Sequence, residues 1–242
     1  MGNRKILVSL TTLSNISKQN LDSSWESKIE EIKESNLEEM ALFLTGLDKK
    51  ERAKLYNAIE NTSIKSIPHV HLRTDMEQDE LEYLDKKFHV RAFNLHSTSV
   101  WPLIHDYGKY VSKIYIENVE TVPNEDELKI FGGLCVDFAH WEGKRLEDDQ
   151  DYDQRMKYMA ENYRIGCAHV SVIKNKPTPV VINKNLLMYD SHELENFGEL
   201  DYIKRYKKYL PNIISIELEN SIKEQLEAKK YIEKLIEVEE NE

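Results

Sequence analysis

Eight short apolar runs, several of them β-branched, alternate with eight charged amphipathic stretches along the chain, and no other feature restricts the fold as much. The runs are residues 5–10, 40–45, 67–72, 92–96, 113–117, 134–137, 165–172 and 212–217. Stretches with helical spacing occupy residues 25–34, 49–60, 79–88, 102–110, 125–131, 151–162, 199–209 and 222–238. In the last of these Leu226, Ile232, Leu235 and Ile236 recur at helical intervals, the mark of a helix with one apolar side. Strict βα alternation requires parallel strands joined by right-handed crossovers. Eight such units close on themselves, so the expected architecture is α/β, a (β/α)8 TIM barrel forming one domain over residues 1–242. An open, doubly wound sheet is the competing arrangement. The length suits the barrel, which usually takes about 250 residues.

Local signals agree with this division. Asn124 precedes the acidic turn Glu125-Asp126-Glu127, an arrangement that satisfies free amides and the positive end of a helix dipole. Asp22-Ser23-Ser24 stands in the same relation to Trp25, and Gly132-Gly133 marks the turn into the sixth strand. The acidic segment 142–153 and the segment 174–189, with Pro177 and Pro179, read as surface loops. Both follow strands, and so both belong to the functional face of a barrel.

Charged residues make up 32% of the chain and apolar residues 40%, enough for one sizeable core. The net charge of −11, concentrated in helical stretches and in the tail 237–242, disfavours capture of nucleic acid on a broad basic face, though a local basic groove would be compatible with it. Cys135 and Cys167 are too few for a disulfide framework. The opening MGNRKILVSL has no secretory h-region, and Ile6 stands where a myristoylation motif wants Ser or Thr. No stretch approaches the ~20 apolar residues that span a bilayer. These features lead to the expectation of a cytoplasmic protein with no membrane partner.

The polar residues at the strand ends carry the functional information. His69 and His71 end the third strand, His96 the fourth, Glu117 the fifth and Asp137 the sixth, with His140 three residues on. His169 lies in the seventh strand, Glu217 ends the eighth, and Glu219 follows on the same face. Asp190 and His192 come from the segment after strand seven. A parallel barrel gathers all strand C-termini on one rim, so these scattered positions converge. Any one strand-end His or acid is ordinarily a hydrogen-bonded or helix-capping residue. Glu117 and Asp137 differ, because each follows an apolar run in which an unpaired carboxylate is costly to ionise. A cation serves several such acids at once, and mixed His and carboxylate donors suit Zn²⁺, Mn²⁺ or Co²⁺ better than Ca²⁺.

The pieces Ile114-Tyr-Ile-Glu117-Asn-Val, Cys135-Val-Asp137-Phe-Ala-His140, His169-Val-Ser171, Asp190-Ser-His192 and Ile214-Ser-Ile-Glu217 resemble, in this order, the xylose isomerase-like TIM barrel superfamily of sugar isomerases, epimerases and endonuclease IV-like proteins. The resemblance runs from about the third strand to the eighth. It implies one divalent metal held by Glu117, Asp137, His169 and Glu217, with His140 directed at the hydroxyls of a small sugar-like substrate. Glu117 and Glu217 would then move a proton through an enediolate, as an isomerase or epimerase requires. The endonuclease IV-like branch implies three zinc ions acting at abasic sites in DNA, on His71, His96, Glu117, Asp137, His140, His169, Asp190, His192 and Glu217. Departures weigh against that branch: the first strand lacks its His-x-Ser pattern, Leu-Arg-Thr follows His71, and the acidic balance offers little to a phosphate backbone. A barrel that binds metal or ligand without catalysis is the third reading.

Other positions have two uses each. Cys135 and Cys167 stand two residues before Asp137 and His169 on the inward face, where small buried apolar residues are the ordinary occupants and metal donors the alternative. Trp101 and Trp141 follow His96 and His140, either as walls against a sugar ring or as loop anchors. Arg73 and Lys174 also follow strands, where solvated surface charge is the ordinary role and contact with an anionic substrate the alternative.

Overall fold

The computed structural model describes residues 4–12, 24–119, 121–180 and 183–237. Asp22, Ser23, Val238 and the rest of the acidic tail beyond Glu237 lie outside them. Strand β1 is Lys5–Leu7 and Ser9–Leu10, interrupted at Val8; then come α1 (Trp25–Ser35), β2 (Glu39–Phe43), α2 (Lys49–Glu60), β3 (Ser66–His71) and α3 (Gln78–Phe88). Strands β4 (Ala92–His96), β5 (Ile114–Glu117) and β6 (Leu134–Asp137) follow, with α4 (Glu125–Ile130) between the last two. Helices α5 (Phe138–Leu146) and α6 (Gln150–Asn162) lead to β7 (Ile165–Val170) and to the strands β8 (Val172–Val180) and β9 (Asn183–Ser191). Strand β10 (Ile213–Ile216) and helix α7 (Ile222–Glu237) end the described chain.

The two halves of β1 close the sheet. Lys5–Leu7 pairs with β10 in parallel, Leu7 opposite Ser215, whereas Ser9–Leu10 pairs with β2 in parallel, Ser9 opposite Ala41. With β2 to β7 in sequence order and β7 paired to β10, strands β2 and β10 share β1 as their common neighbour and the barrel closes. The fold is therefore the expected α/β barrel. Alternate residues divide its core in two. Leu42, Val70, Phe93, Ile116, Val136 and Ile216 face outward and pack against helix residues such as Ile32, Leu55, Leu84 and Ile232. Leu7, Ala41, Phe43, Ala92, Tyr115, Cys135, Cys167 and Ile213 fill the barrel interior.

Three expectations are corrected. Residues 102–110 form no α-helix; the crossover carries a 3-10 turn over Gly108–Lys113, because Gly108 takes a left-handed φ of 47° that breaks helical winding. Its anchor is Tyr107, fully buried, whose hydroxyl donates to the Arg73 carbonyl at 2.8 Å. Segment 142–153 is no loop but the end of α5 and the start of α6. Its acids serve as caps: Asp149 accepts from the Tyr152 amide at 3.1 Å, and Asp148 makes the left-handed link with φ 60°. The described residues of segment 174–189 form an antiparallel ribbon, with Thr178 opposite Met188 and Val172 opposite Ser191. A two-stranded ribbon has two free edges, which is why Pro177 and Pro179 are tolerated in it. The stretch 199–209 is helical, wound as a 3-10 helix over Phe197–Tyr209.

Candidate metal centre at the barrel mouth

The capped ends of the strands place the site. Asp137 ends β6 and caps α5, its Oδ1 accepting from the His140 amide at 2.9 Å. One short turn therefore fixes both a strand-end carboxylate and an imidazole. The pairing registers set His96 beside Glu117, and Asp137 beside His169, on adjacent strands. Glu217 comes immediately after β10, where its amide donates to the Val170 carbonyl at 2.9 Å.

His169, fully buried, is the hub. Its Nδ1 lies 3.3 Å from Glu117 Oε1, 3.3 Å from Glu217 Oε2 and 3.8 Å from Asp137 Oδ2. On the other side of Glu117, Oε2 lies 3.1 Å from His71 Nε2 and accepts from Asn94 Nδ2 at 2.5 Å. The rings of His71 and His96 meet edge to face at 4.9 Å. Three donor sets thus have atoms within 4.8 Å of one another: His71, His96 and Glu117; Glu117, Asp137 and His140; and Asp137, His169 and Glu217. Asp190 and His192 join by single contacts. Asp190 Oδ2 is 3.2 Å from His140 Nδ1, and His192 Nδ1 is 3.1 Å from the Glu217 carbonyl oxygen. All nine expected residues are therefore at the mouth, seven of them in the donor sets and two beside them.

Glu217 and Glu219 separate cleanly. The Glu219 side chain turns away, accepting from Thr11 Oγ1 at 2.5 Å and lying 3.7 Å from the buried Lys28 Nζ. Two asparagines that the sequence reading did not single out complete the support. Asn94 stands two residues before His96, hence on the inward face, and Asn118 follows Glu117 directly. Asn118 accepts from the Asp137 amide at 2.9 Å and donates to the Asp137 carbonyl at 3.0 Å, pinning the end of β6. Position in the strand could have flagged Asn94, but nothing in the sequence marks Asn118.

The charges are compressed. Burial alone would raise the Glu117 carboxyl, yet His169 and His71 outweigh it and hold it well below the usual range. Glu217 is likewise held down to about 2 against burial, by His192 and His169. Asp137 is pushed up to about 6, mainly by burial, with Glu117 and Glu217 adding repulsion. Burial opposes charge on His169 and His140, but the surrounding carboxylates raise both well above the ordinary histidine value. Three buried carboxylates facing one imidazole nitrogen thus hold a proton where a cation would also be held. His169 Nδ1 itself has no well-formed hydrogen bond. Donor chemistry, crowding of acids and the unpartnered nitrogen all fit a divalent ion on Glu117, Asp137, His169 and Glu217.

The rim assigns the remaining positions. Trp141 is fully buried, donates Nε1–H to Asp153 at 2.8 Å and packs on Tyr206, so it anchors α5 to α6 and is no sugar wall. Trp101 is about half exposed beside Val100 in the loop after β4. Arg73 is paired with Asp75 at 3.0 Å, and Lys174 with Glu199 at 3.1 Å.

No family model and no curated protein matches the chain. Among solved structures, the probable 3-DHS dehydratase AsbF of Bacillus anthracis, described as involved in petrobactin synthesis, is similar at 13% identity over 93% of this chain and 97% of that one, with a TM-score of 0.47. An uncharacterized B. cereus protein is similar at 14% identity over 98% of this chain and 65% of its own, with a TM-score of 0.41. A xylose isomerase domain containing protein of Salmonella typhimurium LT2 is similar at 12% identity over 98% of both chains, with a TM-score of 0.42. At these identities and TM-scores the likeness carries no statement about family or reaction. Among the described residues, no helix is long and apolar enough to cross a membrane.

Proposed function

We propose that the chain is a divalent-metal-dependent isomerase or epimerase acting on a small sugar, polyol or keto compound. The observation that carries this reading is the set of three carboxylates, from Glu117, Asp137 and Glu217, around His169 Nδ1 at 3.3–3.8 Å. When bound there, a divalent ion supplies a Lewis acid for a substrate carbonyl and its neighbouring hydroxyl. Glu117 and Glu217 come from β5 and the end of β10 and are both held ionised, the state a proton acceptor needs. One removes the proton from the carbon beside the carbonyl; the same group then returns it to the adjacent carbon, or the other glutamate delivers a proton to the opposite face of the same carbon. Composition is unchanged, and the intermediate is an enediolate. His140, tethered by Asp190, orients substrate hydroxyls and keeps its proton available to them.

The endonuclease IV-like reading draws on one observation, that the three donor sets share members and leave places for more than one ion. Against it, Arg73 and Lys174 already have acidic partners, and a phosphate backbone would meet a mouth crowded with carboxylates. Manganese titration followed by ketose and inositol turnover decides between these readings. One Mn²⁺ per chain, lost in Glu117→Gln and His169→Ala together with turnover, is the expected result. Cleavage of abasic-site DNA without sugar turnover would transfer the site to the nuclease reading. Full manganese content in both variants would refute the site itself.

A further inference from the structure

Beneath the carboxylates lies a second layer of donors that the proposed reaction does not use. His69, Cys135 and Cys167 stand two residues before His71, Asp137 and His169, on the same inward face and one layer deeper. His69, Cys135 and His169 each bring a donor atom within 4.8 Å of the other two, and all three are fully buried. Cys167, also fully buried, is the register partner of Cys135 on the neighbouring strand. Two imidazole nitrogens in this layer have no partner. His69 engages Ser215 Oγ through Nδ1 at 2.7 Å and leaves Nε2 unbonded. His169 turns Nδ1 to Glu117 and Glu217, and its Nε2 is also unbonded. Buried polar atoms are nearly always satisfied, so two such nitrogens beside two thiols inside a barrel mark a place where a ligand fits.

We propose that His69, Cys135, Cys167 and His169 hold a zinc-class ion inside the barrel, with His169 giving Nε2 to this ion and Nδ1 to the site at the mouth. Two sulfurs and two imidazoles are the donor mix of a closed, tetrahedral zinc site. Bonds of about 2.0–2.3 Å place tetrahedral donors about 3.3–3.8 Å apart, so the donors of His69, Cys135 and His169, now within 4.8 Å of one another, would draw in and Cys167 would join them from the neighbouring strand. On binding, each thiol gives its proton to solvent, and the two thiolates cancel the charge of the ion; when the site at the mouth is filled as well, His169 also gives its last ring proton to solvent and bridges the two ions as an imidazolate. Ser215 Oγ lies 2.7 Å from His69 Nδ1 and can accept its proton when the Nε2 lone pair binds the ion, the support that metal-bound histidines ordinarily receive. The ion would also lock the His169 ring in the orientation used at the mouth. The site rests on its own donors; only the shared His169 links it to the reading above.

Cobalt substitution of the full chain tests it, because thiolate bound to Co²⁺ gives a near-ultraviolet charge-transfer band that carboxylate and imidazole donors lack. The expected result is this band at one Co²⁺ per chain, falling to background in Cys135→Ser and in Cys167→Ser. The band persists in the double variant Glu117→Gln/Glu217→Gln, which loses Mn²⁺ binding, so failure of the mouth site and failure of the inner site are told apart. Absence of the band from the wild-type protein, or its persistence in both serine variants, would overturn the proposal. Should the serine variants not fold, thiol titration of wild-type protein decides: two thiols shielded by zinc and released by chelator support the site. Thiols that react equally with and without zinc, or a Cys135–Cys167 disulfide, sink it.

Discussion

Glu127 offers the most direct test of how the loop beside the site is held. The carboxylate is buried in α4 and gathers the start of the loop after β4: Ser97 Oγ at 2.9 Å, Thr98 Oγ1 at 2.7 Å and the Ser99 amide at 3.1 Å. It also accepts from the Asn124 amide at 3.2 Å, while Asn124 Oδ1 accepts from the Glu127 amide at 2.9 Å, a reciprocal helix cap. The loop so held follows His96 and carries Trp101, whose amide donates to the Ser97 carbonyl at 2.9 Å. In Glu127→Gln the hydroxyls of Ser97 and Thr98 can rotate to accept. The amides of Ser99 and Asn124 cannot, and they point at different carboxylate oxygens, Oε1 and Oε2. One of them must then face the new NH₂ group. A charged acceptor is lost and a buried donor is left facing a donor, which costs about 2 kcal/mol. For a chain of this size that lowers Tm by about 4–8 °C. The control is Asp126→Asn in the same helical turn, where the carboxylate is exposed and the change is within about 0.5 kcal/mol. Thermal and urea unfolding measure both. A Glu127→Gln protein as stable as the Asp126→Asn control would refute the reasoning.

Two further perturbations follow from the packing and from the charges. A Cβ built on Gly166 would lie 2.0 Å from the Tyr115 ring inside the barrel, so Gly166→Ala is expected to cost about 1–3 kcal/mol in urea unfolding; an unchanged midpoint would show that the ring moves freely. In metal-free protein His140 and His169 are held above their unfolded value, burial opposing and the carboxylates prevailing. Their stabilisation is therefore complete below about pH 6.5 and is lost as pH rises through the raised values. Chelated protein is expected to lose Tm as pH climbs above neutrality, and manganese-saturated protein to lose less, since the ion replaces those protons. Equal slopes with and without manganese would argue against an ion at the mouth.

Much of this was legible in the sequence, for identifiable reasons. Every barrel strand alternates an outward apolar residue with an inward one, so the runs located β1 to β7 and β10 to within a residue or two. A parallel barrel then left no freedom about which face the strand ends share, and Glu117, Asp137, His169 and Glu217 had to meet. What the sequence hid was set by long-range contact. Acids in segment 142–153 looked like solvated loop because a cap and a loop acid have the same composition; only the Tyr152 amide reveals Asp149 as a cap. The ribbon of β8 and β9 carries two prolines, a loop signal that holds for central strands and fails where both strands are edges. Trp141 could face a ligand or the core, and contacts with Asp153 and Tyr206, 12 and 65 positions away, decided it.

The same period of two that made the mouth legible also sorts the donors by hardness. Moving two residues toward the N-terminus along β5, β6 and β7 turns Glu117 into Tyr115, Asp137 into Cys135 and His169 into Cys167. Oxygen donors therefore stand where the barrel opens, and sulfur donors stand where Phe43, Leu7 and Ile213 seal it. Hard ions exchange readily with water and suit the open layer, whereas a thiolate-bound ion gains from exclusion of water and suits the closed one. His169 is the residue both layers share: it belongs to both donor sets, turns Nδ1 to the carboxylates, and meets the Phe43 ring edge to face at 4.9 Å. A buried imidazole with carboxylates on one side and thiols on the other has no apolar substitute. That is the physical reason to expect the two layers to be coupled through this one ring.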